Sequence, residues 1–151
     1  MTAYLVYWTP ENISLCERTA GWSMSCWGSK LPNFSTHWKK GDITYFINID
    51  SEGHSSIFGK LILEQFANSR EKAEQIIGRP LTSAPFNQYW IGEKPWLNLH
   101  DVDCREILMT LTFKSGNQLK KGFDGRSFQA PRPLTEDDAQ AVEELWLAYT
   151  E

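Results

Sequence analysis

A chain of 151 residues, 41% hydrophobic and 23% charged, is sized for one domain spanning 1–151 and carries too many core-forming residues for a disordered or low-complexity protein. Its formal net charge of −4 argues against a generic polyanion binder, and no apolar run approaches the roughly 18 residues that would cross a bilayer. Three cysteines, Cys16, Cys26 and Cys104, lack CxxC spacing and argue against a disulfide framework or a thiolate metal cage; with no basic, cleavable leader in Met1–Thr9, they read as reduced thiols of a cytoplasmic protein.

Ala3 to Trp8 is a short β-branched and aromatic run stopped by Thr9-Pro10, which predicts a buried first strand. Pro10 to Thr19 fits a short helix with Thr9 as its cap, ended at Gly21. Gly21 to Trp38 is rich in Trp, Ser, Gly and Pro without a sustained period, so we expect an ordered loop with one short helix near Phe34 to Trp38. Ile43 to Ile49 and Ser55 to Phe66 then read as a hairpin turned at Asp50-Ser51-Glu52-Gly53.

A helix over Arg70 to Ile77 is stopped by Gly78-Arg79-Pro80. Strands are expected at Tyr89 to Ile91, Trp96 to Leu99 and Cys104 to Phe113, the last from its alternation. Thr135, with Asp138 three residues on, opens a final amphipathic helix through Val142, Trp146 and Tyr149. Together these elements predict an α+β fold: a mixed, mainly antiparallel curved sheet or open β-barrel with two or three peripheral helices.

Seven tryptophans, at 8, 22, 27, 38, 90, 96 and 146, exceed what a core of this size ordinarily requires. Trp8, Trp96 and Trp146 lie on predicted strands or the final helix and are assigned to the core, leaving others to line a ligand pocket. Charge is uneven: residues 114–132 hold five Lys/Arg against one acid, and residues 136–151 hold six acids and no base. The basic stretch mixes Lys120-Lys121 with Gly122-Phe123-Asp124-Gly125-Arg126-Ser127-Phe128, a composition suited either to phosphate and base contacts or to a solvated loop.

Residues for catalysis are harder to assemble. His37, His54 and His100 share no metal-ligand spacing, no nucleophile elbow or phosphate-binding glycine loop is present, and a Cys16 or Cys26 nucleophile paired with His54 is only permitted by composition. We therefore expect no metal, no cofactor and no catalytic residue.

Three stretches, taken with the predicted element order, resemble the YTH and EVE domains of the PUA-like superfamily. Tyr4-Leu5-Val6 with Thr9-Pro10-Glu11-Asn12-Ile13 is similar to the opening strand and helix start of YTH domains. Gly21-Trp22-Ser23 resembles the stretch whose tryptophan forms one wall of their methyl-base cage. Gly41-Asp42-Ile43-Thr44-Tyr45-Phe46, continuing through Gly53-His54 to Phe58-Gly59-Lys60, resembles the central hairpin of both families. Pro133-Leu134-Thr135 resembles the start of their last helix, so the likeness covers about residues 3–64 and 94–149 and lapses over 65–93.

The resemblance implies a non-catalytic reader of a modified, methylated base in DNA or RNA, acting with a separate effector protein. It implies Trp22 as first cage wall, Ser23 or Ser25 at the base edge, and Trp27, Tyr89 or Trp90 closing the other face. Lys39, Lys40, Lys120, Lys121, Arg126 and Arg132 are the expected phosphate contacts. A small-molecule binder or enzyme using the same pocket, and a protein-interaction module with exposed tryptophans, are the competing readings.

Overall fold

The computed structural model describes residues 1–8, 23–81 and 86–150; the helix expected over Pro10 to Thr19, the cage candidate Trp22, and Cys16 lie outside the described residues. Among the described residues the protein is built on one seven-stranded sheet. Its strands are β1 (Ala3–Tyr7), β2 (Cys26–Gly28), β3 (Ile43–Ile49), β4 (Ser55–Ala67), β5 (Tyr89–Gly92), β6 (Val102–Asp103) and β7 (Arg132–Pro133). The order is β2-β5-β4-β3-β1-β7, with β6 pairing to β4 off this path. Only β1 with β3 is parallel; the sheet is mixed, mainly antiparallel and open, as its sequence predicts.

Both faces of the central strands are covered, and their period-two patterning divides the core. Leu5, Tyr45, Ile47 and Ile57 point to one side and pack with Leu108, Phe113, Phe128, Val142 and Trp146. Tyr4, Val6, Phe46 and Phe58 point to the other and pack with Trp27, Phe34, Trp38 and Trp90. Register shifts at Phe46/Ile47 and Leu63/Gln65 insert irregularities that bend the sheet.

Four α-helices flank the sheet among the described residues: α1 (Phe34–His37), α2 (Arg70–Ile77), α3 (Arg105–Thr110) and α4 (Glu136–Thr150). Ser69 caps α2 by accepting from Lys72 N at 3.2 Å, and Gly78, at φ 86°, closes it in a left-handed conformation that favours glycine. Thr135 and Asp138 bond each other's backbone N–H at 3.1 and 3.4 Å, the reciprocal box that starts α4. Lys60 on β4 donates to both carboxylate oxygens of Glu143 on α4, and the Tyr45 hydroxyl donates to Glu143 Oε2 at 3.1 Å. This polar clasp joins α4 to β3 and β4. No helix among the described residues is long and apolar enough to cross a membrane.

Three expectations are corrected. The strand expected over Cys104 to Phe113 is instead helix α3 at Arg105–Thr110, because burial of Cys104, Leu108 and Leu111 follows helical spacing, while Phe113 is buried beyond the helix end. Asp103 Oδ1 accepts from Arg105 N at 3.1 Å and turns the chain out of β6. Trp96 to Leu99 makes no strand; only a single bridge joins Asn98 to Ser23. Strand β2, within the stretch expected to be loop, forms because Trp27 stands opposite Trp90 on β5 and both rings bury on the same face.

Candidate functional site

Strand β1 leads into Trp8, whose backbone is fixed by Trp8 N donating to Ile47 O at 2.9 Å and by Asn48 Nδ2 donating to Trp8 O at 3.0 Å. Its indole is only half-buried, with centroids 5.0 Å from Phe46 and 5.8 Å from Phe58. It faces a cavity of about 200 Å³ whose other aromatic walls are Trp27, Phe86, Phe128 and Tyr7, with Leu31 and Pro131 beside them. Ser29 and Gln129 add polar groups. Trp8, assigned to the core, packs against it through Phe46 and Phe58 but is only partly buried, and the rest of its ring lines the cavity.

Phe128 closes a 3₁₀ turn, Gly125–Phe128, which is begun by the Asp124 carboxylate accepting from Arg126 N at 3.0 Å. Beyond this turn lie two open hollows of about 380 and 360 Å³. The aromatic cavity and the first hollow share Gln129 and Pro131; the first and second share Ser127 and Arg132. Each thus borders the next through two residues of the segment 127–132.

Arg132 sits between the two hollows. Its guanidinium lies 3.9 Å from the centroid of Phe113 and 5.6 Å from that of Phe128, and donates to Asn117 O at 2.6 Å. Burial pulls its pKa below the ordinary arginine value, yet a guanidinium keeps its charge in proteins. Arg126 is exposed and closed on Asp124, with Nη2 to Oδ2 at 2.8 Å; the arginine lowers the Asp124 pKa and the carboxylate raises that of Arg126. Lys120 and Lys121 line the second hollow, are exposed, and pair with no acid among the described residues.

Other expected site residues lie elsewhere. Lys39 and Lys40 precede β3, whose first residue pairs with Ala3, so they stand at the opposite end of the β1–β3 ladder from Trp8. Lys40 is paired with Glu64 at 3.4 Å. A hydrogen-bonded chain does link them to the basic stretch: Lys39 N and Thr2 N both donate to Asp42, and Lys114 Nζ donates to Thr2 Oγ1 at 3.5 Å.

Ser25 is 3% exposed and accepts from Arg79 Nη2 at 2.9 Å, away from the aromatic cavity. Ser23 is held in its bridge to Asn98. Trp27 lines the cavity but is 2% exposed, presenting little of its ring. Tyr89 and Trp90 point to opposite faces of β5 into separate clusters, Tyr89 donating to Phe86 O and Trp90 Nε1 to Phe34 O, each at 2.8 Å; neither lines the cavity. Trp96, assigned to the core, is partly buried against the cluster of Ala73, Ile77 and Ile91 and also borders a hollow, with Lys94 5.0 Å above its ring. Trp38 and Trp146 are buried.

Burial pushes the Cys26 thiol up to about 11 against the opposing influence of Ser25 and Arg79, and pushes Cys104 up to about 12. Both are thus held as thiols, the reverse of what a nucleophilic cysteine requires.

No family model matches the sequence, and no curated protein matches it either. Solved structures do. A crystal structure of a tyrosine-to-phenylalanine mutant of ZmASCH from Zymomonas mobilis superposes with a TM-score of 0.51 at 9% identity, covering 96% of this chain and 99% of that one. A serine-to-alanine mutant of the same protein gives 0.49 at 11% identity, covering 95% of each chain. At 9% identity the likeness to the first of these is one of fold alone, and it does not single out EVE or YTH domains. The half-exposed Trp8, together with Phe86, Phe128 and Gln129 as cavity walls, was missed by sequence reasoning. The only local signal was the aromatic-glycine mixture of residues 122–128.

Proposed function

We propose that this PUA-like domain is a nucleic-acid-binding protein that seats one extruded or single-stranded base in the aromatic cavity at Trp8 and lays the adjoining backbone across the basic hollows. The observation that carries the proposal is that an aromatic cavity and two hollows bordered by Lys120, Lys121, Arg126 and Arg132 share the residues Ser127, Gln129, Pro131 and Arg132. A base stacked on an aromatic face gains about 1–3 kcal/mol, and cations beside it hold phosphate without reading sequence. Lys120 and Lys121 are the free cations there; Arg132 supports the groove and contributes field; Arg126 becomes available to phosphate only by releasing Asp124.

Within this reading a methylated base is favoured, because the methyl group adds apolar contact against Trp8 and Leu31. Trp22 and Ser23, beside this region in sequence, keep the cage role that the YTH and EVE resemblance gives them. The domain then acts in the cytoplasm without chemistry of its own, alongside a separate effector protein. Titration of the protein with methylated and unmodified single strands at low salt tests this. Binding weakened at least tenfold by Trp8→Ala or Trp22→Ala is expected; strands that fail to bind, with both variants indistinguishable from wild type, contradict it.

A further inference from the structure

We infer that the edge of β4 facing away from β3 carries a second binding site, separate from the aromatic cavity, for a single planar ring with an imide edge of the uracil type. The site goes beyond the function proposed above and does not involve Trp8. It begins with a break in the sheet. Strand β5 pairs with β4 as far as Gly92 opposite Leu63, and Glu93 N donates to Ile62 O at 2.7 Å. Bonding to β4 resumes where His100 N donates to Phe58 O at 2.9 Å, ahead of β6. Continuing the register of Leu63 and Gly92 would set Pro95 opposite Lys60, and proline has no N–H to give. Residues 94–99 bow away from β4 instead: Trp96 Nε1 donates back to Gly92 O at 3.0 Å, and Leu97 O accepts from Met24 N at 2.9 Å.

The bow leaves backbone groups of β4 unmatched. Leu63 N donates to Asp42 O at 2.8 Å and Leu63 O accepts from Gly41 N at 2.7 Å, so the polar groups of Leu63 turn toward the β3 side. Direction alternates along a strand, so those of Lys60 and Ile62 turn into the break, as the bond from Glu93 to Ile62 O requires. Among the described residues, no partner reaches Lys60 N–H, Lys60 C=O or Ile62 N–H. They stand along the edge in the order donor, acceptor, donor. Lys60 is anchored there from one face of the sheet, its ammonium donating to both oxygens of Glu143. A mostly apolar cavity of about 150 Å³ fills the break, walled by Met24, Leu61, Pro95, Trp96 and Leu97. Backbone groups turned into such a space need a partner that supplies the complementary row.

Size and hydrogen-bond order select the occupant. A cavity of about 150 Å³ holds one six-membered ring. An extended peptide, at about 3.3 Å per residue, is excluded because the bonds to Phe58 O and Ile62 O close both ends of the break. The complement of donor, acceptor, donor is acceptor, donor, acceptor: two carbonyls flanking one ring N–H, the imide of uracil and thymine. Cytosine sets a ring-nitrogen acceptor against Lys60 C=O and an amino donor against a backbone N–H, so it leaves those groups unpaired. The Trp96 ring supplies an aromatic wall.

The test titrates the ¹⁵N-labelled full chain separately with 1-methyluracil, 3-methyluracil and 1-methylcytosine. The first keeps the imide N–H; the second has the same size but no donor; the third has the wrong order. 1-Methyluracil is expected to bind about tenfold more tightly than either, the discrimination one hydrogen bond allows, with the Lys60 and Ile62 amide protons moving downfield. Trp96→Ala should weaken it about tenfold through the lost stacking wall, while Trp8→Ala should leave it within about twofold, so that this site and the aromatic cavity are judged separately. Uridine and an all-uracil single strand, followed at the same two amides, distinguish a free nucleoside from a base within a strand, and a response to either supports the site. Equal affinity for the two methyluracils, binding that leaves the Lys60 and Ile62 amides unmoved, or no binding of 1-methyluracil at its solubility limit overturns the inference. Should Trp96→Ala fail to fold, the comparison of the two methyluracils on wild type still decides it.

Discussion

Arg132 and Phe113 are stacked, the guanidinium carbon 3.9 Å from the ring centroid, with Phe128 5.6 Å away on the same cation. The pair joins the 113–117 turn to β7 and the 3₁₀ turn, so one side chain both builds the wall between the two basic hollows and supplies positive field to them. Lysine keeps the charge but loses the planar stack and the fork of donors. Arg132→Lys is expected to lower unfolding stability by about 1–2 kcal/mol in urea titration, and to weaken strand binding more than the unchanged net charge would suggest.

Asp138 gives a pH dependence with a definite sign. Burial raises its carboxyl pKa, but N–H donors from Thr112, Phe113 and Thr135 outweigh this and bring it below the ordinary 3.8. A folded-state value below the unfolded one means the stabilisation is complete above the unfolded value and is lost as pH falls through the folded one. Asp138→Asn puts an amide donor against these N–H groups and should cost about 1–3 kcal/mol near neutral pH. Wild type should lose stability more steeply than the variant below pH 3.8, narrowing the gap between them.

Gly28 is a close-approach position behind the aromatic cavity. A methyl group there would stand 2.7 Å from Tyr89 Cε1 and 2.8 Å from Phe86 Cδ2, both ring atoms in packed surroundings. Gly28→Ala is expected to destabilise by about 1–3 kcal/mol. Because Phe86 is a cavity wall, the displacement should also weaken strand binding; a thermal melt and a binding titration on the same sample separate the two effects.

What could be read from the sequence was what neighbouring residues decide. Ile43 to Ile49 alternates and is β3; Ser69 and Gly78 bracket α2; Thr135 and Asp138 start α4, because each signal is complete within a few positions. The stretch from Cys104 to Phe113 satisfies both periods, and burial of Cys104, Leu108 and Leu111 selects a helix over Arg105–Thr110. The open face of Trp8 depends on Phe128 and Pro131, some 120 positions away, which no local pattern could reveal. Tyr89 and Trp90 looked equivalent as candidate walls, but adjacent residues on a strand must diverge.

Salt dependence separates the two groups of lysines. Replacing two phosphate-contacting cations lowers the slope of log affinity against log salt by roughly 1 each. Lys120→Gln with Lys121→Gln is expected to produce that change across all strands, whatever the central base. Lys40→Gln, which removes the partner of Glu64 at the far end of the β1–β3 ladder, should leave the slope nearly unchanged.

The most direct test is a map of the bound surface. In a ¹⁵N-labelled sample titrated with a single strand, the account predicts shift changes that appear together at the Trp8 indole N–H, the Gln129 side-chain amide, Ser127 and the Lys120–Lys121 backbone. It predicts little change at Lys39, Lys40 and Tyr89. Perturbations confined to the lysines, with Trp8 and Gln129 unmoved, would contradict a base-binding cavity continuous with the basic hollows.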